Sequence, residues 1–288
     1  MDIRMDRLKI VGGLIERMCQ HYDNPPKVIM TDDLKTAVEG ADYVVTQFRV
    51  GLLPARAKDE RIGLRHGYIG QETTGPGGFA KALRTIPVLA DFARDMEEVC
   101  PDALFLNYTN PMAMLTGYMQ RYTGVKTVGL CHSVQTCSET LLKELDMEDK
   151  LQDRKELIAG INHMGWLLKL EDRDGNDLYP EIRRRAREKN ASEKHNDMVR
   201  LDYIEKFGYY CTESSEHNAE YNCFYIKKNY PELIDRFNIP LDEYPRRCVN
   251  QIKDWKEMSE KLLSDTELSH EPVSYTHLRA HETELHLV

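Results

Sequence analysis

Ala103-Leu104-Phe105-Leu106-Asn107-Tyr108-Thr109-Asn110-Pro111, with Thr127-Val128-Gly129-Leu130 beyond it, alternates strand and helix signals in a way that sets the fold class. An apolar run gives way to polar residues, a proline opens a helix over 111–122, and a second β-branched run follows. Working outward, Tyr43-Val44-Val45 reads as a buried strand, and two helices, over 54–66 and 78–99, lie between it and the quoted stretch. Upstream, Leu8, Ile10, Val11, Leu14, Ile15 and Met18 recur at helical spacing over 6–22. A short strand is expected at 27–30, then a helix opening at the Thr31-Asp32 cap and ending at Gly40. Strands separated by helices pair in parallel through right-handed crossovers. The fold class is therefore α/β, a doubly wound Rossmann-like parallel sheet.

Such a sheet should open with a strand and a Gly-x-Gly-x-x-Gly turn. Gly12-Gly13 instead lies inside a helical pattern, so the sheet is expected to lack its first strand. Beyond about Leu151 the pattern changes to strands at 156–161 and 166–170, a turn at 172–176, and charged helices over 180–189 and 195–207. The expected organisation is a nucleotide-binding domain over 1–150, a mixed α+β domain over 151–271, and a non-native tail over 272–288. The tail contains His281 and His286, whose spacing does not fit the zinc-protease pattern of histidines four apart on one helix face.

Composition narrows the function classes. With 41% hydrophobic and 30% charged residues the chain is an ordinary globular protein, and it holds no apolar run long enough to span a bilayer. The absence of a basic region followed by an apolar run at the start points to a cytoplasmic protein. A net charge of −9 argues against a nucleic-acid partner. Seven cysteines at irregular spacing read as thiols rather than disulfides.

In open α/β sheets, ligands bind beyond the carboxyl ends of the strands. Arg49, Asn107, Asn110, Cys131 and His132 all fall at such ends. The loop Gly70-Gln71-Glu72-Thr73-Thr74-Gly75-Pro76-Gly77-Gly78 enters a helix carrying Lys81 and Arg84. On spacing alone it is a turn with a helix cap, although Glu72 is placed to orient a bound hydroxyl. Asn110 reads as an N-cap, and Asn107 as a side chain directed into the crevice. Cys131 and His163, each ending an expected strand, offer a thiolate and an imidazole with positions left open for substrate oxygens. The polar run Thr212 to Tyr221 reads as a capped helix start.

Taken in order, Gln71 to Gly78 with Ala82-Leu83-Arg84-Thr85-Ile86-Pro87, then Asn107 to Pro111, Gly129-Leu130-Cys131-His132-Ser133-Val134 and Gly160-Ile161-Asn162-His163-Met164 resemble glycoside hydrolase family four. The likeness runs from about Asp2 to about Lys261. It implies a cytoplasmic, NAD- and manganese-dependent glycosidase, an exception to hydrolysis by two carboxylates. By that resemblance the sugar is oxidised at C3, a base removes the C2 proton, the aglycone leaves, water adds and the ketone is reduced again. Cys131 and His163 would hold the metal. Tyr221, with Tyr225 as fallback, would be the C2 base, and Glu72 would assist. Asn110, Arg84 and His132 would contact the sugar, and Asp2, Arg49 and Asn107 the cofactor. His132-Ser133-Val134, Glu213 to His217 and Leu241 to Pro245 are similar to the α-galactosidase branch. The phospho-glucosidase, α-glucosidase and α-glucuronidase branches, and a lactate/malate-type dehydrogenase, are the alternatives. A sugar is the expected small-molecule partner, and the chain is expected to form a homo-oligomer.

Overall fold

The computed structural model describes residues 1–20, 22–241 and 243–263, so the expected tail at 272–288 lies outside the described residues. The chain forms two compact units, Met1–Leu130 together with the segment from Glu243, and Cys131–Asp242. No helix among the described residues is long and apolar enough to cross a membrane.

The first unit contains α1 (Met5–Cys19), α2 (Leu34–Val38), β1 (Tyr43–Thr46), α3 (Leu52–Arg65), α4 (Gly75–Val99), β2 (Leu104–Asn107), α5 (Met112–Tyr122) and β3 (Lys126–Gly129). β1, β2 and β3 form one parallel sheet in sequence order, with Thr46 opposite Asn107 and Asn107 opposite Gly129. The alternation expected from strand–helix–strand patterning is what the structure shows. Phe105, Leu89, Leu115 and Met119 are completely buried, with Val44 and Met96 packed into the same core. The buried face follows strand periodicity: Val44 and Thr46 point inward.

Three sequence expectations change. Tyr43 and Val45 are 68% and 61% exposed, so β1 is covered on one face only. Residues 27–30 are not a strand. Among the described residues β1 pairs with β2 alone, and 27–30 joins neither sheet. The helix expected from Thr31-Asp32 is shorter, with Asp33 as its N-cap accepting the Thr36 amide at 2.8 Å.

The second unit begins with α6 (His132–Gln135) and α7 (Cys137–Glu144), followed by β4 (Lys155–Ile161) and β5 (Met164–Glu171). α8 (Tyr179–Ser192), α9 (Met198–Phe207), β6 (Tyr210–Cys211), α10 (Ser215–Tyr221) and α11 (Glu232–Arg236) complete it. β4, β5 and β6 form an antiparallel sheet. The compact units divide at Leu130/Cys131. The reason is packing: Cys137, Leu141, Leu142 and Leu145 share a core with Leu167, Leu170, Ile182 and Tyr210. The last helix, α12 (Glu243–Leu263), groups with the first unit, where Arg7 lies over the Trp255 ring at 5.4 Å.

Candidate active site

In the second unit, Cys131 is the N-cap of α6 and His163 sits in the tight turn joining β4 to β5. The pair is therefore not carried on neighbouring strands of one sheet, as the sequence suggested, but by a helix start and a hairpin turn. His163 has a φ of +63°, a backbone region that costs a side-chain-bearing residue about 1 kcal/mol or more. Gly160 and Gly165 flank the turn, and a Cβ at Gly160 would lie 2.6 Å from the Met164 carbonyl oxygen, so the hairpin closes tightly.

A third group joins them. Cys131 Sγ, a His163 ring nitrogen and a Glu213 carboxylate oxygen all lie within 4.8 Å of one another. His163 is 7% exposed, and its Nε2 is 3.4 Å from Glu213 Oε2. On the opposite side of the ring, Nδ1 is 3.0 Å from the Tyr221 hydroxyl, and the two rings stack with an interplanar angle of 13°. Burial pushes the Cys131 thiol up, as does the Glu213 carboxylate, while contacts from Ser133 and Asn162 oppose this. Ser133 Oγ is 3.0 Å from Sγ. Burial would raise Glu213, but His217 and His163 outweigh it and hold the carboxyl below its usual range. One sulfur, one imidazole nitrogen and one carboxylate oxygen make a donor set suited to a borderline divalent cation.

The structure separates the two tyrosines considered for the base. Tyr221, at the end of α10, is the one beside His163. Tyr225 is 4% exposed and donates to Asp202 at 2.8 Å, and burial with that carboxylate pushes its phenol up. It belongs to an aromatic core with Tyr203 and Phe237. His132, the first residue of α6, is next to Cys131 and partly exposed.

The remaining expected residues lie in the first unit. Glu72 is enclosed by three cations, with Arg49 at 2.7 Å, Arg56 at 2.6 Å and Lys81 at 2.7 Å. Burial would raise its carboxyl, yet Arg56, Lys81 and Arg49 hold it well below the usual range. Burial, together with Arg49 and Arg56, pushes the Lys81 ammonium down to about 7 against the pull of Glu72. Glu72 is thus a fixed anion rather than a proton acceptor near neutral pH. The glycines around it serve close packing: a Cβ on Gly77 would collide with the Gln71 carbonyl, and one on Gly78 would sit 2.7 Å from the Thr73 carbonyl carbon. Arg84 spends its guanidinium on Asp59, at 2.9 and 2.6 Å, and on the Val50 carbonyl at 3.0 Å, tying α4 to α3.

Asn107 corrects the sequence reading more sharply. Its side chain does not open to a crevice but is fully buried. Oδ1 accepts the Thr109 amide at 2.9 Å, and Nδ2 donates to Thr116 Oγ1 at 3.2 Å and to the Thr109 carbonyl at 3.3 Å. A buried amide must satisfy its own polar atoms, and this one does so by shaping the turn after β2. Asn110 is likewise not the N-cap; Pro111 is, and Asn110 Oδ1 accepts the Met112 amide at 3.4 Å. Asp2 is partly exposed and accepts the Arg4 amide at 2.9 Å.

Sequence reasoning missed the support beneath the site. Asp197, 4% exposed, takes Arg200 Nε at 2.5 Å, the Tyr210 hydroxyl at 2.6 Å and Ser215 Oγ at 2.9 Å. Arg200 also covers the Tyr210 ring at 4.5 Å. The only signal in the sequence was the density of polar residues from Thr212 to Tyr221.

Residues 1–147 match the family described as family 4 glycosyl hydrolase, and residues 158–284 match its C-terminal domain. An α-galactosidase of Bacillus subtilis (strain 168) is 53% identical over 274 residues, covering 94% of this chain and 62% of that protein. A probable 6-phospho-beta-glucosidase of the same organism is 49% identical over 161 residues, covering 55% of this chain and 36% of that protein. Among solved structures, a 6-phospho-beta glucosidase from Thermotoga maritima with manganese, NAD+ and glucose-6-phosphate aligns with a TM-score of 0.67 at 26% identity. That match covers 91% of this chain and 58% of the other. The chain thus spans about three fifths of the length of the α-galactosidase it matches. On two profile matches that together run along most of the sequence, the chain belongs to glycosyl hydrolase family 4.

Proposed function

We propose that this protein hydrolyses α-galactosides by oxidation at C3, elimination across C2 and C1, hydration, and return of the hydride to the C3 ketone. NAD and a divalent cation, manganese first among candidates, would supply the hydride acceptor and the Lewis acidity of that route. The observation that carries the reading is the convergence of Cys131, His163 and Tyr221. The similarity to the α-galactosidase points to the same substrate class.

Each residue has a definable task. Cys131 and His163 would hold the cation, with the His163 Nε2 that faces Glu213 as the ligating nitrogen. The ring proton would then reside on Nδ1, directed at the Tyr221 oxygen. A phenol with an ordinary pKa of about 10 is a weak base at neutral pH. A hydrogen bond donated to its oxygen favours the phenolate, which is the form that takes the C2 proton. His132 is assigned to the sugar, as is Asn110. Glu72 and Arg84 act as positioning groups, through Arg49, Arg56 and Lys81 and through Asp59. The NAD requirement rests on the relatives. Asn107 is enclosed and Arg49 is paired with Glu72, leaving Asp2 as the residue assigned to the ribose. We also keep a homo-oligomer as the assembly to test by sedimentation.

The test is an α-galactoside incubated in deuterated water with manganese, NAD+ and a thiol reductant. The expected product is galactose carrying deuterium at C2, with no net NADH. Galactose released without that label contradicts the mechanism. Preference for a 6-phosphorylated glucoside would replace the substrate, and NADH accumulation on a hydroxy acid would replace the enzyme class.

A further inference from the structure

We infer that Glu213 is a third protein ligand of the divalent cation. The inference rests on the Cys131–His163 reading and extends it. Its first support is placement. Glu213 Oε2 faces His163 Nε2 at 3.4 Å, longer than the roughly 2.7–2.9 Å of a charge-assisted hydrogen bond. A cation between sulfur, nitrogen and oxygen satisfies all three atoms better than the direct contact does.

Orientation is the second support. Glu213 Oε1 accepts the Ser214 amide at 3.1 Å, which turns Oε2 toward the cluster. Ligating carboxylates are commonly fixed this way by a hydrogen bond to the atom that does not bind. The backbone at Glu213 has φ +50°, an unfavourable conformation for a residue with a Cβ. The segment is held there from both ends. Thr212 exchanges two hydrogen bonds with Gly165, its amide to the carbonyl at 2.7 Å and its hydroxyl from the amide at 3.0 Å. Ser215 is anchored on Asp197, and Asn218 Nδ2 donates to the carbonyls of Glu213 and Ser214 at 3.2 and 3.0 Å.

Charge is the third. A thiolate and a carboxylate within 4.8 Å of each other repel. Two anions against one dication make a neutral site, which removes that repulsion. A carboxylate beside the sulfur also shifts the donor set toward manganese, iron or cobalt and away from an all-sulfur preference.

The experiment uses the metal-free 288-residue chain titrated with Mn2+ for affinity and with Co2+ for its visible spectrum. Wild type should show a sulfur-to-cobalt charge-transfer band that Cys131→Ser abolishes. Glu213→Gln should keep that band, change the d–d bands and weaken Mn2+ binding by about 100-fold or more. Glu213→Asp, which keeps the charge on a shorter arm, should recover part of the affinity, and it carries the test should the glutamine variant not fold. Unchanged d–d bands with affinity within about tenfold of wild type in Glu213→Gln, or no recovery in Glu213→Asp, overturns the third ligand alone. Absence of the sulfur band in wild type overturns the underlying two-residue site instead.

Discussion

Tyr221 and Tyr225 lie on either side of a sharp chemical divide. The first shares a 3.0 Å contact with His163; the second is sealed in an aromatic core against Asp202. Tyr221→Phe should therefore leave Mn2+ affinity within about threefold while lowering kcat by about 10²–10⁴. Steady-state kinetics on α-galactoside, paired with metal titration, check this; a lost metal affinity would mean that Tyr221 supports the site instead of reacting. At the same scale, Cys131 and His163 were legible because a thiol and an imidazole at the ends of apolar runs are chemically conspicuous. Glu213 was not, since acidic residues abound in this sequence and its value lies in an unusual backbone angle that residue spacing does not encode. Asn107 misled for a related reason: a polar residue at a strand end looks the same whether it faces a ligand or builds the turn. Asn107→Ala would orphan the buried Thr109 amide and should cost about 1–3 kcal/mol in denaturant unfolding.

At the scale of elements, helices and parallel strands followed from apolar periodicity, and most boundaries shifted by only one to three residues. What failed was the segment at 27–30. Its composition suits a strand, but a strand exists only through a partner, and 27–30 pairs with none of the described strands. The Glu72 cluster ties α3, the glycine-rich loop and α4 together through one carboxylate and three cations. Its pH behaviour follows from sign. The folded carboxyl is held well below its usual 4.5, so its stabilising contribution is complete above that pH and is lost as pH falls below it. Glu72→Gln should remove this acid dependence and, by taking the shared carboxylate away from Arg49, Arg56 and Lys81, destabilise the fold by about 3–5 kcal/mol at neutral pH. Urea midpoints across an acidic pH series for both proteins decide the matter. The Asp197–Arg200 pair below α10 is as exacting. Asp197→Ala should cost a similar amount, about 3–5 kcal/mol, by stranding Arg200.

Over the whole molecule, the sequence order of motifs identified the family, while the proposed cation site lies within residues 131–242. The proposed chemistry depends on Cys131 and His163 binding one divalent cation. X-ray absorption at the metal edge of the Mn2+-loaded protein addresses it directly. The expected shell contains one sulfur scatterer and an imidazole signature, the sulfur vanishing in Cys131→Ser and the imidazole in His163→Ala. A metal shell of light atoms alone, unchanged by either substitution, would contradict it.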